Sequence, residues 1–403
     1  MSSKTLPILP GAYDSTRASA RSGSESFRAK LPILPGATLG ILGGGQLGRM
    51  FTIAARTMGY KVMVLDPDAA SPAGQMADVH LQADYTDHGA LRQLGAACAA
   101  VTTEFENVPA ASLIELAQHC RVSPGAAAVA IAQDRSHEKS WLREQGFATA
   151  PFALVNSEAG LDAALAETGA PALLKVSRFG YDGKGQARVA SLAEARAAFK
   201  EFGGQPCVLE GFVTLEREVS VVLARNDAGE CALFPVAENR HENGILDLSI
   251  VPARVSDALA EQARDMARAI ADRLGYVGVM AVEFFIADGR LMVNEIAPRP
   301  HNSGHYTLDA CVTDQFEQQL RALAGLPLGD TRLLSPAAMV NILGDRWQNG
   351  GPHWDALLAH PNIKLHLYGK EAARPGRKMG HFNVLDADLP AALALAEKMR
   401  DAL

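Results

Sequence analysis

The sequence predicts an α/β and α+β chain: a Rossmann-like parallel sheet wound by helices near the N-terminus, then a mainly antiparallel region. Three observations carry this. "TLGILGGGQLGRM" followed by "KVMVL" reads strand, glycine loop, helix, strand, the order a parallel sheet needs. Further on, "ALLKV", "PCVLE", "REVSVVLA", "CALFPV", "VMAVEFF" and "RLMVNEI" follow one another with little helix between some of them, which favours antiparallel pairing. Finally, 403 residues at 48% hydrophobic can bury the cores of two or three domains.

Residues 1–36 differ from the rest. Ser, Arg, Gly and Pro dominate, and "LPILPGA" occurs at 6–12 and again at 31–37. Two short copies make no solenoid, and the poor amphipathic pattern argues against an organelle transit peptide, so a flexible extension is expected. A helix follows from about Gln46 to Met58, stopped by Gly59, then further strands near "AAVTT" and a helical stretch through Trp141. A new unit is expected near Pro151. The helix over 256–274 is marked by a Ser256 cap, a stripe of Leu259, Ala263, Met266, Ile270 and Leu274, and a Gly275 stop.

Composition excludes several classes. A formal charge of −7 argues against broad binding to nucleic acid or an anionic membrane. No apolar run has the length of a membrane span, and a cytoplasmic location is expected. Cys98, Cys120, Cys207, Cys231 and Cys311 are too scattered for a disulfide framework or a zinc cluster.

Five stretches are candidates for chemistry. In "GILGGGQLGRM", Gly43, Gly45 and Gly48 have G-x-G-x-x-G spacing, and Asp66 stands where a ribose-binding acid would stand. A nicotinamide site, another phosphate at the helix start near Gln46 and Leu47, and a tight turn without ligand all fit. "GYDGKGQ", 180–186, follows a strand in which Lys175 interrupts an apolar run. Two lysines and a close-approaching backbone suit nucleotide phosphates; the loop is not a Walker A motif, and an exposed turn with Lys184 pointing outward is the alternative.

The hairpin "VMAVEFFIADGRLMVNEIAPR" places Glu283 and Glu295 among apolar neighbours, where each needs a cation or a donor. With Asn294 they form the hard oxygen set that magnesium takes alongside nucleotide phosphates; pairing with Arg290 or Arg299 is the alternative. Alternation adds a condition. A two-residue turn at Asp288-Gly289 sets Glu283 opposite Asn294 and sends Glu295 to the other face, so a shared metal needs an odd loop or a bulge.

Beyond the hairpin, "RPHNSGHYT" holds Arg299, His301, Asn302, Ser303 and His305 without the helical spacing of a zinc site. "YGKEAARPGRKMGH" gathers Lys370, Arg374, Arg377 and Lys378, either as solvated charge or as a pocket for a phosphorylated metabolite.

Taken together, "GILGGGQLGRM", "TEFENV", "GYDGKGQ", "CVLEGFV", "REVS", "GYVGVMAVEFF", "NEIAPRPHNSGH" and "RPGRKMGH" resemble the ATP-grasp ligases of purine biosynthesis, from about residue 38 to the C-terminus. The resemblance implies an ATP-grasp fold with a Rossmann-like domain over 37–138, an ATP-grasp domain over 139–330 with a lid at about 151–213, and a substrate-binding subdomain over 331–403. It also implies the activity: ATP- and magnesium-dependent joining of bicarbonate to the exocyclic amine of 5-aminoimidazole ribonucleotide through carboxyphosphate, in a homodimer.

By the same resemblance ATP falls to Arg135, Lys175, Gly180, Tyr181, Asp182, Gly183, Lys184, Gly185, Gln186, Glu210, Gly211, Phe212, Val213, Glu218, His241, Asn294 and Glu295. Magnesium falls to Glu283 and Glu295, and the ribonucleotide to Gln46, Leu47, Glu104, Asn302, Lys370, Arg377 and Lys378. Tyr181, Asp182, Lys184 and His301 stand at the reacting groups, with Asp182 and His301 both eligible to take the amine proton. Asp66 receives no role. The rivals are a formate-using glycinamide ribonucleotide ligase, a nicotinamide oxidoreductase and a non-catalytic nucleotide-binding module.

Overall fold

In the N-terminal sheet the first strand, Thr38–Leu42, lies in the middle. Lys61–Leu65 and then Val79–Leu81 pair on one side, Ala100–Thr103 and then Arg121–Val122 on the other, all parallel. The order reverses at the C-terminal end of Thr38–Leu42, where the glycine loop begins, so the loop occupies the crevice that open α/β sheets use for ligands. This is a computed structural model describing residues 31–180 and 184–403. The helix Gln46–Thr57 packs Leu47, Met50, Phe51 and Ala55 into a core shared with Phe316, Leu320 and Leu323 of the helix Gln315–Ala324. Gly59 ends the first helix at a φ of 85°, a left-handed conformation that suits glycine.

The second sheet has nine strands, all joined by antiparallel pairs. From one edge run Arg290–Ala297, Gly278–Ala287, Arg217–Arg225, Ala237–Glu242, Ile245–Val251, Ala337–Leu343, Lys378–Leu385 and Ile363–Leu367; Cys231–Leu233 pairs beside Arg217–Arg225. The strands of the expected 331–403 subdomain thus continue the central sheet, through Ile245–Val251 against Ala337–Leu343. One face is covered by the helix Asp257–Arg273, whose Ser256 Oγ accepts from Leu259 N–H and whose Ala263, Ala267, Ile270 and Ala271 enter the core. Gly275 follows at a φ of 55°.

A third, four-stranded antiparallel sheet orders Phe152–Val155, Cys207–Gly211, Ala172–Val176 and Gln186–Val189. Its own core is closed by the helices Leu161–Thr168 and Leu192–Glu201, and the segment is the one expected to form the lid. The helix Arg135–Glu144 runs across the expected 138/139 boundary and carries charged residues to both neighbours.

The extension behaves differently from the expected 1–36 tail at its end. Ile33 N–H donates to Ala324 O (2.8 Å), Ile33 O accepts from Tyr60 Oη (2.7 Å), and its side chain packs on the N-terminal core. Anchoring therefore begins before residue 36, because the second "LPILP" offers an apolar side chain to a surface ready to cover it. All five cysteines are free, and no described helix is long and apolar enough to cross a membrane.

Candidate active site

The carboxylate hairpin is closed by a two-residue turn, Asp288 and Gly289, with φ of 49° and 66° and with Ala287 paired to Arg290. Left alone, that turn would set Glu283 opposite Asn294. Between Phe284 and Glu283 the ladder slips instead: Phe284 faces Val293, Asn294 is left over, and Glu283 faces Glu295. Of the two devices that could align the acids, the strand uses the bulge.

Neither acid pairs with Arg290 or Arg299. Glu283 Oε1 lies 3.0 Å from His301 Nε2, and its Oε2 accepts from Asn294 Nδ2 at 3.3 Å. Burial would push the Glu283 carboxyl up, but hydrogen bonds from His301 and Asn294 and the nearby charges of His301 and His241 hold it below the usual range. Glu295 Oε2 accepts from Arg135 at 3.0 Å. Arg290 is exposed, and Arg299 bonds Glu106. His301 Nδ1 is 2.8 Å from Ser303 Oγ, and its backbone N–H donates to Gln315, so a short buried turn aims the ring at Glu283.

Phe285, two residues along the strand from Glu283, lines a cavity of about 340 Å³ between the four-stranded sheet and the carboxylate hairpin. Leu173, Phe212, Val213, Leu215 and Phe285 line it, with Glu210 at its edge, a lining that suits a flat heterocycle. Lys175 Nζ donates to Glu210 Oε2 at 3.0 Å. Burial opposes the Glu210 charge, yet Lys175 and Lys139 outweigh it and bring the carboxyl down to about 2. Asp134 caps the helix that begins at Arg135. His241, at a second bulge, sets Nδ1 2.6 Å from Glu218 Oε2; burial works against the imidazolium, but this carboxylate lifts its pKa above the usual histidine value.

Within the lid loop, Gly180 accepts from Arg135, and Gly185 has a φ of 68° with Val176 Cγ2 2.5 Å from where a Cβ would lie. Only glycine fits there. Lys184 is exposed and Gln186 opens the strand Gln186–Val189. Tyr181, Asp182 and Gly183 lie outside the described residues.

At the first glycine loop both acids turn inward. Asp66 Oδ2 accepts from Gly44 N–H and Tyr85 Oη, each at 2.6 Å, and Oδ1 accepts from Asp68 N–H at 2.8 Å. Glu104 takes Gly45 N–H at 2.6 Å and Gly48 N–H at 2.7 Å; burial pushes its carboxyl up to about 7 against the pull of those amides and of Lys370. Asp66, with no role in the sequence reading, is thus a brace for the loop. Two of the loop's amides are already bonded to Glu104, leaving those of Gln46 and Leu47 at the helix start.

Four residues expected to hold the ribonucleotide do meet. Lys370 Nζ donates to Gln46 Oε1 and to Lys378 O (2.7 Å), stands 5.5 Å from the Tyr368 ring centre, and lies within electrostatic reach of Glu104. Arg377 precedes Lys378 in a turn and donates to Ala372 O at 2.8 Å. Asn302 is engaged in a reciprocal amide pair with Asn341, at 3.0 and 2.7 Å. Leu47 is buried in the helix core, so only its backbone can face a ligand.

Sequence reasoning missed Glu106, Glu138 and Lys139. Glu138 accepts from Ile296 N–H, and burial, then the Glu295 charge, pushes its carboxyl up. Lys139 is fully buried, 3.6 Å from Glu210. A signal existed: Arg135, Glu138 and Lys139 fall at i, i+3 and i+4, one face of a helix.

Three family descriptions match in succession: the ribonucleotide synthetase preATP-grasp domain over residues 36–133, the ATP-grasp domain over 140–316, and the phosphoribosylaminoimidazole carboxylase C-terminal domain over 337–394. N5-carboxyaminoimidazole ribonucleotide synthase of Brucella melitensis is 50% identical over 355 residues, 87% of this chain and 97% of that protein. The Bacillus subtilis enzyme of the same name is 46% identical, over 89% and 93%. Among solved structures, an ADP complex of N5-carboxyaminoimidazole ribonucleotide synthetase superposes with a TM-score of 0.88 at 45% identity, covering 92% of this chain and 98% of that one. The Aspergillus clavatus enzyme in complex with ADP and 5-aminoimidazole ribonucleotide gives 0.84 at 33%, over 91% and 99%.

Proposed function

The chain belongs to the N5-carboxyaminoimidazole ribonucleotide synthases, ATP-grasp ligases of purine biosynthesis, and from that membership we propose which of its residues carry the reaction. ATP and 5-aminoimidazole ribonucleotide are its substrates, and bicarbonate is the proposed third. The observation that carries the assignment of residues is the bulge seating Glu283 opposite Glu295 on the strand whose Phe285 lines the apolar cavity. A slot for a base, cations for phosphates and a paired carboxylate set then adjoin one another.

Adenine is assigned to the cavity, against Phe212, Val213 and Phe285. Arg135, Lys175 and Lys184 are assigned to the phosphates, with Glu218 and His241 on the nucleotide as the resemblance implies. Two facing carboxylates plus the Asn294 amide oxygen fit magnesium, an oxygen-seeking cation that usually takes one or two carboxylates and substrate phosphates. When bound, magnesium supplies charge neutralisation at the transferring phosphoryl group.

A bicarbonate oxygen attacks the γ-phosphorus as its bond to the β,γ-bridging oxygen breaks and ADP leaves, and the cations stabilise the charge that gathers there. The carboxyphosphate so formed is easily hydrolysed, so the 180–186 loop excludes water by closing. The amine of the ribonucleotide then attacks the activated carbon, the bond from carbon to the phosphate oxygen breaks, and inorganic phosphate leaves as the amine gives up its proton. Its phosphate is assigned to Lys370, Arg377, Lys378 and the Gln46–Leu47 helix start, with Glu104 and Asn302 beside the ribonucleotide. Asp182 and His301 are the two proposed proton acceptors, and Tyr181 is assigned to the same reacting groups on the resemblance alone. The pH–rate profiles of Asp182→Asn and His301→Asn distinguish them, since only loss of the true base removes the acid-side limb, on which the rate rises with pH as that base loses its proton. A homodimer and a cytoplasmic location accord with the family's habit and with purine biosynthesis.

The rival readings lack support. Asp66, on which a nicotinamide site would depend, is bonded to Gly44 and Tyr85. The assay is phosphate release from ATP with bicarbonate and aminoimidazole ribonucleotide added separately and together. Full release is expected only with both. Equal stimulation by formate and glycinamide ribonucleotide would overturn the assignment.

A further inference from the structure

Glu210 sits between two ammonium groups and hydrogen-bonds to one of them. Its Oε2 accepts from Lys175 Nζ at 3.0 Å, whereas Lys139 Nζ stands 3.6 Å from the same oxygen. Among the described residues neither Lys139 Nζ nor Glu210 Oε1 has a hydrogen-bond partner. The Lys139 side chain is 0% exposed, that of Glu210 2% and that of Lys175 10%. An ammonium without a hydrogen bond at this depth is costly, and Glu210 does not require it at rest because Lys175 already neutralises that carboxylate; the buried Glu138 carboxyl is the other acid within electrostatic reach of Lys139.

The requirement arises when nucleotide binds. Lys175 is assigned both to Glu210 and to a nucleotide phosphate, and one ammonium cannot hold both in good geometry. Lys175 lies on Ala172–Val176, the strand leading into the lid loop, two residues from Leu173, which lines the cavity that Glu210 also lines, and its side chain keeps 10% exposure. Lys139 lies on the helix Arg135–Glu144 with no path to solvent. We propose that Lys139 is the standing counter-ion of Glu210, which lets Lys175 leave Glu210 for a nucleotide phosphate without stranding a buried carboxylate. Lys139 needs to approach by about 0.7 Å to make a charge-assisted hydrogen bond of about 2.9 Å. It is a positioning residue, acting on nucleotide through Glu210. The proposal rests on the assignment of ATP to this cavity.

The test compares MgADP with adenosine, because only the former has phosphates that draw Lys175 away. Calorimetric titration of Lys139→Met should show MgADP weakened by at least about tenfold and adenosine by less than about twofold, since the cost arises only when Glu210 loses Lys175. Adding Glu210→Gln removes the carboxylate that needs a counter-ion. The double variant Lys139→Met/Glu210→Gln should therefore recover the ratio of MgADP to adenosine affinity by at least about fivefold over Lys139→Met, a coupling that independent structural effects would not produce. Parallel loss of both ligands, unchanged MgADP affinity, or no recovery in the double variant overturns the proposal. Should Lys139→Met fail to fold, a crystal structure of the unaltered protein with MgADP decides: Lys139 Nζ bonded to Glu210 with Lys175 on phosphate supports it, and Lys175 still on Glu210 overturns it. Failure of the unaltered protein to bind MgADP would instead overturn the ATP assignment itself.

Discussion

Glu295→Gln separates the metal reading of the hairpin from a purely structural one, because the two predict different sizes of effect on different observables. The glutamine keeps the shape and deletes one negative charge. In the fold, Glu295 has one described ion-pair partner: Oε2 accepts from Arg135 at 3.0 Å, with side chains 33% and 21% exposed. A half-exposed pair of this kind contributes about 1 kcal/mol or less, so the melting temperature should fall by only about 2 °C. For a metal held by Glu283 and Glu295, the substitution halves the protein charge on the ion. Losing about 3 kcal/mol of transition-state stabilisation lowers kcat roughly 150-fold. Arg135, released from Glu295, remains free to meet a phosphate, so KM for ATP should change by less than about threefold. The assay is initial-rate phosphate release at saturating substrates with magnesium titrated, alongside calorimetric melting. A kcat within about twofold of the unaltered protein, under 1 kcal/mol, would refute the metal role. A melting temperature lowered by more than about 5 °C would show that the site had collapsed rather than lost a ligand.

Four further outcomes are expected. Arg377→Ala should raise KM for aminoimidazole ribonucleotide at least about tenfold and KM for ATP less than about threefold; a comparable rise in both would indicate general destabilisation. Removing residues 1–31 should leave melting and turnover unchanged, whereas removal through residue 36 should cost about 2 kcal/mol, because Ile33 loses two hydrogen bonds and its packing; equal behaviour of the two truncations in urea unfolding contradicts this. Glu210, held at about 2 against an ordinary 4.5, contributes stability that is present above the ordinary value and lost as pH falls through about 2. Glu210→Gln should accordingly flatten the acid limb of stability between those limits, and an unchanged slope would deny the lysine pairing. Asp66→Ala should lower stability by about 1–3 kcal/mol by unbracing Gly44 N–H and Tyr85 Oη, without altering a negligible affinity for nicotinamide dinucleotides; measurable tight binding by the unaltered protein would revive the rival.

The elements with local causes were legible in the sequence. Glycine stops at 59 and 275, the Ser256 cap, the alternating strands and the Asp288-Gly289 turn all act within a few residues, and each occurs where its pattern placed it. Residue types also pointed to candidate chemistry, carboxylates in an apolar hairpin and lysines around glycine loops, but left arginine pairing and an exposed turn open as alternatives. Tertiary structure decided which group meets which. The parity of the hairpin turned on one extra residue, Asn294, because a bulge is set by how a strand sits in its whole ladder and not by the turn that closes it. Glu295 found Arg135, 160 residues away, Arg299 found Glu106 at 193, and Lys370 found Gln46 at 324. The same holds for Asp66, whose sequence position matches a ribose-binding pattern, and for Glu104, which the resemblance gave to the ribonucleotide: both carboxylates turn to amides of the glycine loop. A buried charge takes the partner that the packed chain brings within about 3 Å, and local sequence carries no record of that distance.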